Sequence, residues 1–199
     1  GIAARTLVEG LFGIQPDALH DTLFIKPGFP SQWNTARLEL PHISLSFGRV
    51  QKRDFYYVKQ FSGKKLHLKM LLPALRTGIQ SIRINGKKVD WSMAPGMVGK
   101  PSLLIKAPKD SAYKIEIMWK GPAPAEVVYD SVYTAGDAIK LSSGKAGFKN
   151  FHDPQNIFKQ EDLKGREFSA LIQNTSGNKT VFVQLQQGDF SWWEPICFK

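Results

Sequence analysis

Phe190-Ser191-Trp192-Trp193-Glu194 places two indoles side by side near the end of the sequence. Indole is large, flat and amphipathic. It stacks on the apolar faces of sugar rings as readily as it fills a core. Side chains alternate across a strand, so adjacent indoles in a strand point to opposite faces, one inward and one outward. Trp192 and Trp193 are therefore the candidate carbohydrate-binding residues. Trp33 and Trp91 are single indoles elsewhere in the chain. Trp119 falls on the apolar side of an alternating run and is assigned to the core.

Other reactive groups do not assemble into a known catalytic pattern. Sugar hydrolysis by two carboxylates needs them about 5–9 Å apart, which Glu-x-Asp-x-Glu on one strand would supply. No such triplet occurs, and Glu161-Asp162 are adjacent, so on a strand they face opposite ways. Gly-x-Ser-x-Gly, the nucleophile elbow, is missing. Gly96-Met97-Val98-Gly99-Lys100 ends like a phosphate loop, but Ala94 stands where the first glycine is required and Pro101 where the hydroxyl is. It reads as a loop between strands. His20, His42, His67 and His152 share no metal-ligand spacing, so neither a metal nor a cofactor is expected. Cys197, the single cysteine, has no adjacent histidine to activate it and reads as a half-buried small residue rather than a nucleophile. Asn174-Thr175-Ser176 and Asn178-Lys179-Thr180 match the N-glycosylation pattern, as turn composition often does.

Composition frames these motifs. With 199 residues, 42% hydrophobic and 22% charged, the chain is long enough to bury a core without disulfides or metals. No apolar run approaches the roughly 18 residues of a membrane span. Ile2–Phe12 is too short and too charged, with Arg5 and Glu9, for a signal peptide. The net charge of +10 is uneven: residues 1–120 hold 19 Lys+Arg against 8 Asp+Glu (+11), and residues 121–199 hold 8 against 9 (−1). A basic excess attracts polyanions, and Lys52–Lys65 interleaves it with aromatic residues. No run reaches the length of a charged interaction tail, so the excess reads as a solvated face. Neither nucleic acid nor a membrane is expected as a partner.

The elements that must carry these residues are mostly strands. Leu40–Phe47, Arg53–Phe61, Leu66–Leu72, Leu103–Ile105 and Tyr113–Trp119 are β-rich runs, most of them with a period of two. Ile79–Ile84 and Lys88–Trp91 flank Asn85-Gly86, a strong hairpin signal. Gly121-Pro122-Ala123-Pro124 reads as a linker. Strands resume at Glu126–Tyr133, Arg166–Asn174, Lys179–Gln187 and Phe190–Phe198. Ala3–Phe12 has apolar residues near helical spacing, and Gly13 follows as a helix stop. The expected fold class is mostly β: an antiparallel β-sandwich with a second, smaller β unit and a short N-terminal helix remnant. The expected organisation is a helix remnant and junction over residues 1–37, a β-sandwich over 38–120 and a smaller β unit over 125–199.

Glu9-Gly10-Leu11-Phe12-Gly13-Ile14-Gln15-Pro16-Asp17, followed by Leu23-Phe24-Ile25-Lys26-Pro27-Gly28-Phe29-Pro30 and Trp33, resembles a junction found in six-hairpin, (α/α)6-barrel glycoside hydrolases of the α-L-rhamnosidase-like kind. There the last barrel helix ends in a G-I-x-P turn, and the chain enters a C-terminal β-sandwich through a P-G-F/L-P segment. Ile79–Val89 is similar to the V-x-V-N-G-x-x-V hairpin of such sandwiches, and Tyr113–Trp119 to their closing strand. The resemblance spans about residues 9–120. It implies a non-catalytic C-terminal β-sandwich fragment of a bacterial glycoside hydrolase, packed on the upstream (α/α)6 barrel of the same parent chain. The family's catalytic acids lie in that barrel, so no catalytic residue is assigned here and the fragment is not expected to be an enzyme. The parent is expected to be exported, periplasmic or extracellular. In this reading Leu7, Leu11 and Phe12 lose their partners and lie exposed. The alternative is a carbohydrate-binding module acting through exposed tryptophans; polyanion binding and an independent enzyme are the remaining readings.

Overall fold

The computed structural model describes residues 6–17, 19–173 and 176–199. Strands account for 57% of the described residues, and the one helix among them is a single turn. Two compact units form: one from Gly1–Pro73, Gly78–Ala94 and Ser102–Lys120, the other from Ala74–Thr77, Pro95–Pro101 and Gly121–Lys199.

The first unit opens with one turn of π-helix, Thr6–Leu11, where the spacing predicts a longer helix. Its strands are β1 (Ile14–Asp17), β2 (Thr22–Ile25), β3 (Thr35–Glu39), β4 (Ile43–Val50), β5 (Arg53–Gln60), β6 (His67–Pro73), β7 (Gly78–Ile84), β8 (Lys87–Lys88), β9 (Trp91–Met93), β10 (Ser102–Ala107) and β11 (Ala112–Lys120). They make a five-stranded sheet, β1-β2-β6-β10-β9, and a six-stranded sheet, β3-β4-β5-β11-β7-β8. Pairing is antiparallel except between β2 and β6. Residues assigned to the junction thus supply β1 and β2 to the first sheet and the start of β3 to the second.

Period-two patterning explains the core. Leu68, Met70 and Leu72 of β6 are buried, as are Leu103 and Ile105 of β10 and Leu23 and Ile25 of β2. From the other sheet come Leu45 and Phe47, Tyr56 and Val58, and Tyr113, Ile115, Ile117 and Trp119. Each row of alternate apolar residues can leave water only by facing a second such row, which makes the sandwich. One ion pair sits at the end of the inner face. Arg49 and Asp54 are cross-strand partners in the β4–β5 hairpin, and Arg49 Nε and Nη2 donate to Asp54 Oδ1 and Oδ2 at 2.7 and 2.9 Å. The same guanidinium lies 5.1 Å from the centre of the Phe47 ring.

Residues at positive φ shape several turns. Asn85 (φ 50°) and Gly86 (φ 79°) close the β7–β8 hairpin in the conformation their types favour. Gly13 has φ 63°, and a Cβ there would lie 1.8 Å from the carbonyl oxygen of Lys26. Its own carbonyl accepts a hydrogen bond from Lys26 N at 2.9 Å, and Gly28 N donates to Leu11 O at 2.9 Å. Phe12, expected to be exposed, is 4% exposed, with its ring edge-on to Phe29 at 5.2 Å. It has found a partner within the unit. Leu11 is half-buried. Ile2 and Ala3, and the side chain of Leu7, lie outside the described residues. Expected strand Lys88–Trp91 is divided: β8 stays with β7, while β9 pairs with β10 in the other sheet.

The second unit has β12 (Ala138–Ser142), β13 (Gly147–His152), β14 (Phe158–Lys164), β15 (Glu167–Ile172), β16 (Lys179–Gln187) and β17 (Phe190–Phe198). They form two three-stranded sheets, β12-β15-β14 and β13-β16-β17. Aromatic contacts join the sheets: Phe151 meets Phe168 at 5.1 Å, and Phe158 stacks on Phe198 at 6.1 Å. Strands β12, β13 and β14 were not expected. β14 buries only its first residue, Phe158, and so carries little apolar alternation. Conversely, the strand expected over Glu126–Tyr133 reduces to a single bridge between Val128 and Ser142. Val128 and Val132 share a period-two face, but both are exposed, so that face buries nothing against a second sheet. Among the described residues no helix is long and apolar enough to cross a membrane.

Candidate carbohydrate-binding face

Inward residues set the outward ones. Val181, Val183 and Leu185 of β16 are buried, as are Phe190, Trp192, Ile196 and Phe198 of β17. Alternation therefore turns Phe182 and Gln184 of β16 and Ser191, Trp193 and Pro195 of β17 to the outer face. The adjacent indoles separate as their neighbours require. Trp192 is 2% exposed, whereas Trp193 is half-buried on the outer face. Trp192 belongs to the core, and only Trp193 can meet a ligand.

β13 adds the third row by way of a bulge. Its register against β16 shifts between Phe148 and Asn150. Phe148 points inward, and plain alternation would send Asn150 inward too. The extra residue reverses the sense of the strand. Phe151 then pairs with Val183 and turns inward to Phe168, while Asn150 and His152 pair with Gln184 and Phe182 on the outer face. Two lateral rows result: Asn150–Gln184–Trp193 and His152–Phe182–Pro195. The His152 and Phe182 rings stack, with centroids 6.3 Å apart and planes 27° from parallel.

Pro95–Pro101 completes the face. Trp193 N donates to Met97 O at 2.9 Å, and Gly99 N donates to Trp193 O at 2.8 Å. These two bonds run Val98 parallel to Trp193 and fix the indole's backbone. The segment that ends like a phosphate loop is a loop between β9 and β10, and its single bridge at Val98 borders the face. A trough of about 500 Å³ results, lined by Gly96, Val98, Asn150, His152, Phe182 and Trp193, with Phe151 at its floor.

Its chemistry is that of flat π faces beside amides. Amides offer both donors and acceptors to vicinal hydroxyls. Asn150 Oδ1 accepts from Phe151 N at 2.9 Å, and its Nδ2 has no hydrogen-bond partner among the described residues. Gln184 Nε2 is 3.4 Å from Ser191 Oγ, a weak bond that a ligand hydroxyl can replace. Behind the face, Trp192 Nε1 donates to Glu194 Oε2 at 3.1 Å. Burial raises the Glu194 carboxyl above its ordinary range; the Trp192 bond and Lys100 oppose that shift, and Glu126 adds to it.

Elsewhere, Trp119 is buried, Trp91 is half-buried, and Trp33 is 38% exposed with its ring near-parallel to Phe29 at 6.3 Å. Cys197, expected to be half-buried, is exposed, because alternation after buried Ile196 turns it outward; its Sγ is 3.7 Å from Thr180 Oγ1. Among the described residues no three His, Cys, Asp or Glu side chains are grouped to hold a metal ion. Asn174 and Thr175, in the first glycosylation pattern, lie outside the described residues. Phe182 and Gln184 were legible from the alternation of Lys179–Gln187 about its valines. Asn150 and His152 depend on the bulge, and Val98 on a segment distant in sequence. Comparison with protein-family models, with curated proteins and with solved structures finds no match.

Proposed function

We propose that this chain is a β-sandwich accessory module of a carbohydrate-active protein, and that its second unit binds carbohydrate through Trp193 and Phe182. One observation carries the reading: Trp193 and the stacked Phe182–His152 pair share one trough with the amide of Asn150, and Gln184 lies between Asn150 and Trp193 in the same lateral row. A pyranose has apolar C–H faces and an equatorial rim of hydroxyls, and this face offers a complement to both. Catalysis is assigned to the parent protein and not to this chain.

Titration of the chain with a panel of neutral oligosaccharides, followed by tryptophan fluorescence, tests the proposal. Saturable quenching that Trp193→Ala and Phe182→Ala each abolish, with unfolding unchanged, is the expected outcome. No saturable response from any member of the panel, or a response that survives both substitutions, would overturn it.

A second reading is the accessory sandwich packed on an upstream (α/α)6 barrel. It is favoured by the hydrogen bonds that tie together the two halves of the motif carrying the resemblance, Lys26 to Gly13 and Gly28 to Leu11. The reading frame upstream of Gly1 tests it directly: a helical barrel encoded there is expected, and an unrelated sequence would refute it.

A further inference from the structure

The outer face of the six-stranded sheet in the first unit is chemically different from the Trp193 trough. Asp54, Tyr56, Val58 and Gln60 face inward on β5, so Arg53, Phe55, Tyr57 and Lys59 face outward. Cross-strand register then builds two rows. Gly48, Phe55, Glu116 and Arg83 lie side by side in one, and Ser46, Tyr57 and Lys114 in the next. Phe55 and Tyr57 are 39% and 36% exposed, large values for aromatic residues in mid-sheet. Same-face neighbours on a strand stand roughly 7 Å apart, so the two rings form a continuous shelf. They help line a trough of about 600 Å³. Gly48 borders Phe55, and a Cβ there would meet nothing within 4 Å. Packing does not demand the missing side chain; its absence leaves the Phe55 ring open toward β4.

Charge surrounds this shelf with one sign in excess. Arg53, Lys59, Arg83 and Lys114 stand against Glu116, and Arg37 and Glu39 neutralise each other in a salt bridge. Glu116 lies 3.8 Å from Arg53. Lys59 Nζ sits 5.0 Å from the centre of the exposed Phe61 ring. The residual charge among these described residues is +3, counting four cations against one carboxylate.

We propose that this face binds an anionic, carboxylate-bearing polysaccharide, with sugar rings on Phe55 and Tyr57 and uronate carboxylates at Arg83 and Lys114. Three features match that ligand. Aromatic faces take the C–H surfaces of the rings, and cations beside them take carboxylates spaced along a chain. Ser46 and Glu116 lie within the shelf and suit hydroxyl groups, which can donate to the carboxylate. A deoxyribose–phosphate strand has no backbone hydroxyls to donate to that carboxylate, so single-stranded DNA is the poorer fit. This site lies in a different unit from Trp193, and its test does not depend on the first.

Affinity electrophoresis and calorimetric titration of the full chain with polygalacturonate test the proposal, with hydroxyethyl cellulose and single-stranded oligothymidylate as comparison probes. Polygalacturonate binding that weakens as salt rises is expected. Phe55→Ala with Tyr57→Ala should weaken it by about tenfold or more. Arg83→Gln with Lys114→Gln should weaken it and flatten its salt dependence, and carries the test alone if the aromatic variant does not fold. Trp193→Ala should leave it unchanged. Absence of polygalacturonate binding at low salt, or binding that the charge variant leaves intact, would overturn the proposal. So would oligothymidylate binding tighter than polygalacturonate with the same variant sensitivity, which would assign the face to nucleic acid.

Discussion

Replacing Trp192 and Trp193 by alanine, one at a time, separates packing from recognition at adjacent positions. Trp192 is 2% exposed, opposite Leu185 of β16, and its Nε1 donates to Glu194 at 3.1 Å. Truncating a buried indole removes its burial energy and leaves a cavity, at a cost of about 3–5 kcal/mol. In a unit of 60–100 residues each kcal/mol moves the transition by about 4–8 °C. Trp192→Ala should therefore lower the melting temperature of the second unit by at least about 10 °C. Trp193 is half-buried on the outer face, with its backbone held by Met97 and Gly99 whatever its side chain. Its truncation should cost no more than about 1 kcal/mol, near the range for surface sites. Scanning calorimetry of the two variants beside the parent chain measures both effects. Equal losses, or a larger loss for Trp193→Ala, would refute the assignment of inner and outer faces on β17 and with it the proposed carbohydrate-binding trough at Trp193.

Gly13→Ala should destabilise the first unit by more than about 2 kcal/mol in urea unfolding, since φ is 63° and the new Cβ would meet the Lys26 carbonyl. Asp54→Ala should cost about 3–5 kcal/mol by leaving Arg49 unpaired beside the core; adding Arg49→Met should recover part of that loss, and strictly additive losses in a double-mutant cycle would contradict the pairing. Asp21 is held at about 2, below its ordinary 3.8, by hydrogen bonds from Lys109 and Lys64. A carboxyl lowered on folding stabilises the fold above its unfolded value and loses that contribution as pH falls through the folded one. Asp21→Asn should accordingly flatten the acid limb of the stability curve between about pH 4 and pH 2, read by chemical unfolding at a series of pH values.

Runs with clean alternation, such as Tyr113–Trp119 and Lys179–Gln187, were legible as strands because burying one face of a strand needs nothing beyond a period of two. The same rule makes one of two adjacent indoles face out, and Asn85-Gly86 specified its turn through local φ preferences. The choice between Trp192 and Trp193 was not local. It follows from which face of β17 meets the apolar partners supplied by β12 to β16, and those partners are set by long-range pairing. β14 was hidden because it is mostly exposed, and Phe12 found its partner in Phe29, a contact no spacing encodes. Most of the candidate face is likewise tertiary: a bulge turns Asn150 and His152 outward, and Pro95–Pro101 crosses from a loop to border Trp193. Sequence periodicity determines that a strand has an inside and an outside; only the assembled sheets decide which residues share the outside, because that depends on register between segments far apart in the chain.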